Sequence, residues 1–426
     1  MDRAGRGVIM MLTRPDRETA MLRFLAVALT CLGFVAAPAP AEEPMPVAGK
    51  TKKEWLKILA EDASPRQRTA AVVALTLMTP RDRAIEDAVR DALNDQAERV
   101  RLKALDGVAV FVLTDGKNQS GTVEAIGKRM VNDPVEEVRA RAQEIAREIK
   151  PEEFQRKLVP FLADAMRQDK SPALRASAAA ALGRMGVNAK TVVNVMIESL
   201  KDPEPVVRAA AAEGLGRIGD EAKGSVPKLA ALLKDADPGV RLSAAFALGR
   251  IGPDAASAVP DLAQALAADA DANVRKEAAR ACSLLGLDAK PAIPALARAL
   301  REDKAPEVRQ QAALALGKMR GDELLAVVPA MIEAMKKDAD KSVRVFVVHS
   351  LGNTLGDGLR AYVKDMADQL VNDSDGDVRM ALVQELGGLG PAAKEALPAL
   401  NRAVADVQLS VRDEARKAVK KVMGQQ

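Results

Sequence analysis

Histidine occurs once in the 426 residues, cysteine twice, and tryptophan and tyrosine once each. The lone His349 excludes a metal centre built from several histidines. Two cysteines, Cys31 and Cys282, exclude a disulfide framework. Aromatic residues make up 2 % of the chain, which disfavours strands and removes the stacking platforms that single-stranded nucleic acid requires. No charge sign dominates: 63 basic residues face 59 acidic ones, a net of +4. Bulk electrostatics therefore make no case for nucleic acid or an anionic membrane.

What is abundant is alanine and leucine, residues that favour closely packed helices. The N-terminus reads as a targeting segment: Arg23, an apolar run from Phe24 to Ala37, then Ala39-Pro40-Ala41-Glu42. A positive flank, a short apolar core and an A-x-A exit mark a secretory signal peptide over residues 1–41. The run is too short for a comfortable transmembrane helix, so no membrane span is expected after cleavage. A retained, signal-anchored envelope form is the competing expectation. Met21 suggests that residues 1–20 are an upstream extension from a misassigned start. Cys31 follows Ala28-Leu29-Thr30, and the bulky threonine fits a lipidation motif poorly. Removal of 1–41 leaves 58 basic and 56 acidic residues, a net of +2. Residues 42–50 then form a short linker, and residues 51–426 one domain.

That domain repeats itself. Asp202-Pro-Glu-Pro-Val-Val-Arg208, Asp235-Ala-Asp-Pro-Gly-Val-Arg241, Asp269-Ala-Asp-Ala-Asn-Val-Arg275 and Asp303-Lys-Ala-Pro-Glu-Val-Arg309 share one pattern. An Asp and an Arg six residues apart recur eleven times, successive arginines lying 33 to 38 residues apart. A fixed period of this length is the signature of a repeat architecture. Each unit reads as two helices. Counted from its Arg, the second helix has apolar residues at −1, +3, +4 and +7, one face at helical spacing. Gly183, Gly216, Gly249, Gly317 and Gly352 stand at +8, where a missing side chain permits close helix contact. The turn Asp is placed to accept backbone N–H groups at the start of the second helix, and the Arg to bond an Asp of its own or the next unit. Asp202, Arg208, Asp235, Arg241, Asp269, Arg275, Asp303 and Arg309 thus form a structural ladder.

The turn Asp, the Val-Arg six residues on, the Ala-rich second helix and the Pro near the start of the first resemble the HEAT repeat family, including its short phycobilisome-lyase type. The resemblance covers roughly residues 50–424. It implies an all-α, right-handed α-solenoid of about eleven repeats with second helices lining its concave side. At 8–10 Å between helices, eleven units would extend on the order of 100 Å.

Catalytic signatures do not survive inspection. Gly214-Leu-Gly216-Arg-Ile-Gly219 spells a dinucleotide fingerprint, but at the end of a helix and with no strand before it. Asp373, Asp375 and Asp377 echo a calcium loop, yet Val378 stands at its glycine position and Gln384 at its glutamate position. Cys282 falls in the buried column. No catalytic residue, cofactor or metal is expected.

Columns +1, +2, +5 and +9 lie opposite the buried stripe and are expected to face the groove. At +5 they read Ala180, Glu213, Phe246, Arg280, Leu314, His349 and Gln384; at +9, Arg184, Arg217, Arg250, Leu284, Lys318 and Asn353. Apolar groups among cations suit a protein-binding surface. Two plain alternatives stay open: cations near a helix C-terminus complement its dipole, and isolated surface apolars are ordinary. The functional expectation is a non-catalytic, exported (periplasmic or extracellular) scaffold. Its unidentified protein or peptide partner is acidic or extended. Nucleic-acid or anionic-surface binding through the basic column, and a bilin-lyase-like enzyme handling a chromophore, are the weaker readings.

Overall fold

A computed structural model describes residues 47–115, 120–149, 152–185 and 189–425. The expected signal peptide, and residues 42–46 of the linker, lie outside the described residues. The regular structure of the described residues is helical, with turns between helices and one isolated bridge between Val47 and Lys50. They belong to two compact units, 1–126 and 127–426.

Eleven helices carry the repeat arginines and are numbered here as second helices. They are α1 (Pro65–Leu77), α2 (Glu98–Asp115), α3 (Glu136–Glu148), α4 (Pro172–Met185), α5 (Pro205–Ile218) and α6 (Pro238–Ile251). The series continues with α7 (Ala272–Leu285), α8 (Pro306–Leu316), α9 (Lys341–Leu355), α10 (Gly376–Gly388) and α11 (Leu409–Val422). The unit 1–126 holds α1 and α2; the unit 127–426 holds α3 to α11. A first helix precedes each, for instance Val226–Leu232 before α6 and Val259–Ala268 before α7.

In the first unit, Trp55 is buried in the helix Lys52–Glu61 and donates its indole N–H to the Val47 carbonyl at 2.9 Å. Thr51 closes that helix with a capping box to Glu54, so the domain start expected at residue 51 coincides with a helix cap.

In the second unit, local sequence sets the boundaries of each repeat. Pro205, Pro238 and Pro306 occupy first-turn positions whose N–H would have no partner. Asp237, Asp271 and Asp340 cap α6, α7 and α9 with their side chains. Gly219, Gly252 and Gly286 end α5, α6 and α7 at φ of 83°, 77° and 61°, a region costly for any residue with a Cβ. A tight 3-10 turn follows each and leads into the next first helix.

Val207, Val240, Val274, Val308 and Val343, the −1 residues of α5 to α9, are fully buried. Leu215, Leu248, Cys282, Leu316 and Leu351 at +7 are fully buried as well. The second helices pack directly upon one another, α4 on α5, α5 on α6 and α6 on α7, more intimately than the first helices do. The +8 glycines are the reason. A Cβ on Gly183 would stand 2.6 Å from the Cα of Gly214, and one on Gly216 would stand 2.7 Å from the Cα of Ala247. Gly249 and Ala281 repeat the contact at 2.9 Å. Each glycine faces the +6 residue of the next second helix, and that residue is small from α5 to α7. It enlarges to Ser350 against Gly317 and to Glu385 against Gly352.

Candidate functional site

Within the second unit the polar ladder is built the same way from Arg139 to Arg379. In α6, Arg241 donates Nη1 to the carbonyl of Asp235 in its own turn at 2.9 Å. Its Nε and Nη2 reach the Asp269 carboxylate of the next turn at 2.6 and 2.9 Å. Arg208 pairs likewise with Asp235 at 2.8 Å for both bonds, Arg275 with Asp303 at 2.7 and 2.9 Å, and Arg309 with Asp338 at 2.7 and 2.8 Å. Asp202 receives Arg175 at 2.8 and 2.9 Å.

Each Arg therefore addresses both units, its own through a backbone oxygen and the next through a carboxylate. The ladder Asp stops short of the helix it was expected to cap: Asp235 Oδ1 accepts the N–H of Asp237 at 2.9 Å, and Asp237 then caps α6. Burial alone would push the Asp269 carboxyl up. The Arg241 guanidinium and the Asp271 N–H outweigh it and hold the group below the ordinary carboxylate range. Arg241 is held above its ordinary value, chiefly by the hydrogen bond to Asp269.

The opposite face of the second helices carries the +5 and +9 columns. Arg184, Arg250 and Lys318 are exposed and form no ion pair among the described residues. Arg217 and Glu213 pair with each other at 2.6 Å, and Arg280 is held by Glu277 at 2.8 Å. His349 Nδ1 lies 2.9 Å from Glu385 Oε1 of the next repeat. The nine candidate residues are thus not one basic patch but three unpaired cations separated by neutralised pairs.

Phe246 and Leu314 are half-buried rather than wet. The Phe246 ring lies over the Gly216 notch, 3.1 Å from where a Cβ would be, so packing accounts for part of its apolar character. Leu284, 40 % exposed, lies at the Gly249 notch. The +1 and +2 columns share this face. Leu242 on α6, Val345 and Phe346 on α9 and Met380 on α10 are all half-buried apolar residues of these columns. Their signal was available: apolar residues off the buried stripe.

Cys282 is fully buried, and burial pushes its thiol up to about 12. Gly214 and Gly216 lie inside α5, with Gly219 at its C-terminal cap, which is not the strand-to-helix turn of a dinucleotide site. Among the described residues, no cluster of His, Cys, Asp and Glu is arranged to hold a metal, and no helix is long and apolar enough to cross a membrane.

Paired helices stacked through close second-helix contacts and a repeating Arg–Asp rung define an α-solenoid, a class built to present extended surfaces. The HEAT repeat family model matches residues 159–231, 193–283, 259–328 and 328–420, more than half of the chain. The chain belongs to the HEAT repeat family. Among curated proteins none matches its sequence.

Solved structures share the fold. The karyopherin Kap121p bound to the extreme C-terminus of the protein phosphatase Cdc14p is 14 % identical, with a TM-score of 0.56 over 87 % of this chain and 45 % of that one. A structure of Kap95p with RanGDP is 15 % identical, with a TM-score of 0.57 over 87 % of this chain and 56 % of that one. The chain spans about half the length of these relatives in fold.

Proposed function

We propose that the chain is a non-catalytic scaffold that binds a protein or peptide on the exposed face of its second helices. The observation that carries this reading is the presence of unpaired Arg184, Arg250 and Lys318 among half-buried Phe246, Leu314, Val345 and Phe346 on one face of stacked helices. A surface of apolar groups among cations lets many weak contacts add up. Solved structures of the same fold, Kap121p with a segment of Cdc14p and Kap95p with RanGDP, hold protein partners.

An exported location is part of the proposal. It rests on the positive flank, apolar run and A-x-A exit before Glu42. The chain's own N-terminal 50 residues fused to a reporter that is active only outside the cytoplasm would test it, a silent reporter counting against export.

Binding is tested by capture from native envelope extract with the mature chain, residues 42–426, beside a variant with Arg184, Arg217, Arg250 and Lys318 changed to Glu. Circular dichroism first establishes equal folding. Proteins retained by the wild type and lost from the variant are the expected result. Co-purification of a pigment, lipid or nucleic acid with no protein would overturn the scaffold reading.

A further inference from the structure

From α4 to α8 the unpaired cations of the +9 column recur with a period of their own. Arg184 stands on α4, Arg250 on α6 and Lys318 just beyond the end of α8, all at +9, so they occupy every second repeat. In α5 the +9 residue, Arg217, is neutralised by Glu213 at 2.6 Å. In α7 it is Leu284, 40 % exposed, beside an Arg280 already held by Glu277. Along the row the +9 column therefore reads cation, neutral pair, cation, leucine, cation. Half-buried Leu242, Phe246 and Leu314 line the same face.

The spacing selects a ligand geometry. Neighbouring packed helices lie about 8–10 Å apart, so cations on alternate helices are about 16–20 Å apart. An extended chain rises about 3.3 Å per residue, which makes that interval five to six residues. Only the even number returns a side chain to the same side of an extended strand. A helical ligand would need about eleven to thirteen residues for the same distance at about 1.5 Å per residue, and one lying along the row would hide most of them from this face.

We infer that this face receives an extended polypeptide segment bearing carboxylate side chains six residues apart, with apolar side chains between them. The inference rests on the scaffold reading and adds to it the charge, conformation and register of the partner. Charge complementarity fixes the sign, since the three cations have no carboxylate of their own among the described residues. Leu284 between Arg250 and Lys318, with Phe246 and Leu314 beside them, favours apolar side chains between the acids.

The test uses the full chain and fluorescent twenty-residue peptides. One carries three Glu at six-residue spacing among Val, Leu and Ser; a second has the same composition with the three Glu adjacent; a third replaces Glu by Lys. The spaced peptide is expected to bind at least about tenfold tighter than the clustered one, with an affinity that falls as salt rises. The variant Arg184→Glu/Arg250→Glu/Lys318→Glu should lose that preference and bind the Lys peptide instead. Arg298→Glu/Lys337→Glu, which reverses exposed cations of the first helices Ile293–Glu302 and Val328–Lys337, should keep it.

Equal binding of spaced and clustered peptides overturns the inference, and so does equal loss in both variants. No binding of any peptide by the wild type overturns it also. If the chain captures a protein equally well with and without the triple substitution, this inference falls while the scaffold reading stands. If capture yields no protein at all, the scaffold reading falls with it.

Discussion

Arg241 and Asp269 are 28 residues apart in sequence and share two hydrogen bonds, of 2.6 and 2.9 Å, across the junction between successive repeats. The third bond of the same guanidinium, to the Asp235 carbonyl at 2.9 Å, anchors it in its own turn. Both side chains are mostly buried, at 15 % and 6 % exposure, so removal of either partner leaves a charge with little access to water. Arg241→Ala is expected to cost on the order of 2–4 kcal/mol. Arg241→Lys should recover less than half, because an ammonium cannot supply the planar fork. Urea unfolding followed by circular dichroism checks both, and a loss under about 0.5 kcal/mol for Arg241→Ala would contradict the rung's role.

The same rungs predict an acid transition. Asp95 and Asp406 are held below the ordinary carboxylate range, chiefly by hydrogen bonds from Arg68 and Arg379. Asp202, Asp235, Asp269 and Asp303 are held below it by their arginines against the opposing push of burial. A carboxyl whose pKa is depressed by folding adds stability that is complete above its unfolded value of about 3.9 and is lost as pH falls through the folded value. Thermal midpoints should therefore stay level from neutrality to about pH 5 and drop below about pH 4. In Asp269→Asn that drop should be shallower, although the variant starts from lower stability at neutral pH.

Gly216 offers a test in which two physical effects have opposite signs. Helix propensity alone would make Gly216→Ala stabilising by about 0.5–1 kcal/mol. The contact with Ala247 leaves no room for a Cβ, so the substitution is expected to destabilise by about 1–3 kcal/mol. Gly388, in α10 with no atom near its missing Cβ, serves as the control and should gain stability when changed to Ala. Midpoint shifts of the two variants in one denaturation series decide the matter.

Cys282 should resist thiol reagents in the native state. Its thiol is fully buried and pushed up to about 12, and the reactive species is the thiolate. Labelling at pH 8 is expected to proceed only at the rate at which its repeat opens, and to become immediate in denaturant. Rapid labelling of the folded chain would place Cys282 outside the core.

The arrangement of repeats was legible because it depends on period and local chemistry. Eleven Asp–Arg pairs gave the unit, the −1 and +7 columns gave the core, and the +8 glycines gave the tight contact. What crosses between units was harder to read. Nothing in the sequence says that Arg241 takes the carboxylate of Asp269 and the carbonyl of Asp235 rather than the carboxylate of its own turn. That choice follows from the pitch of the stack.

The candidate surface was legible as columns but not as charges. Arg217 shares its column with Arg184 and Arg250, but Glu213 four residues before it is a standard helical partner that neutralises it. Phe246 could not be read as the cover of Gly216, because its neighbour lies in another repeat. The apolar Val345 and Phe346 were outnumbered in their columns by small and polar residues of other units.

The rung has a consequence for the length of the array. From α5 to α8 each guanidinium uses a backbone oxygen of its own repeat and a carboxylate that the following repeat supplies, and Gly216, Gly249 and Gly317 each face a small residue six positions after the next arginine. The polar joint between successive repeats is thus the same from α5 to α8. Excision or duplication of one whole unit within α5 to α8 leaves no donor without an acceptor at the seam. Over evolutionary time such a chain is free to grow or shorten by complete repeats, which changes the reach of the proposed binding face without altering the chemistry that holds neighbours together.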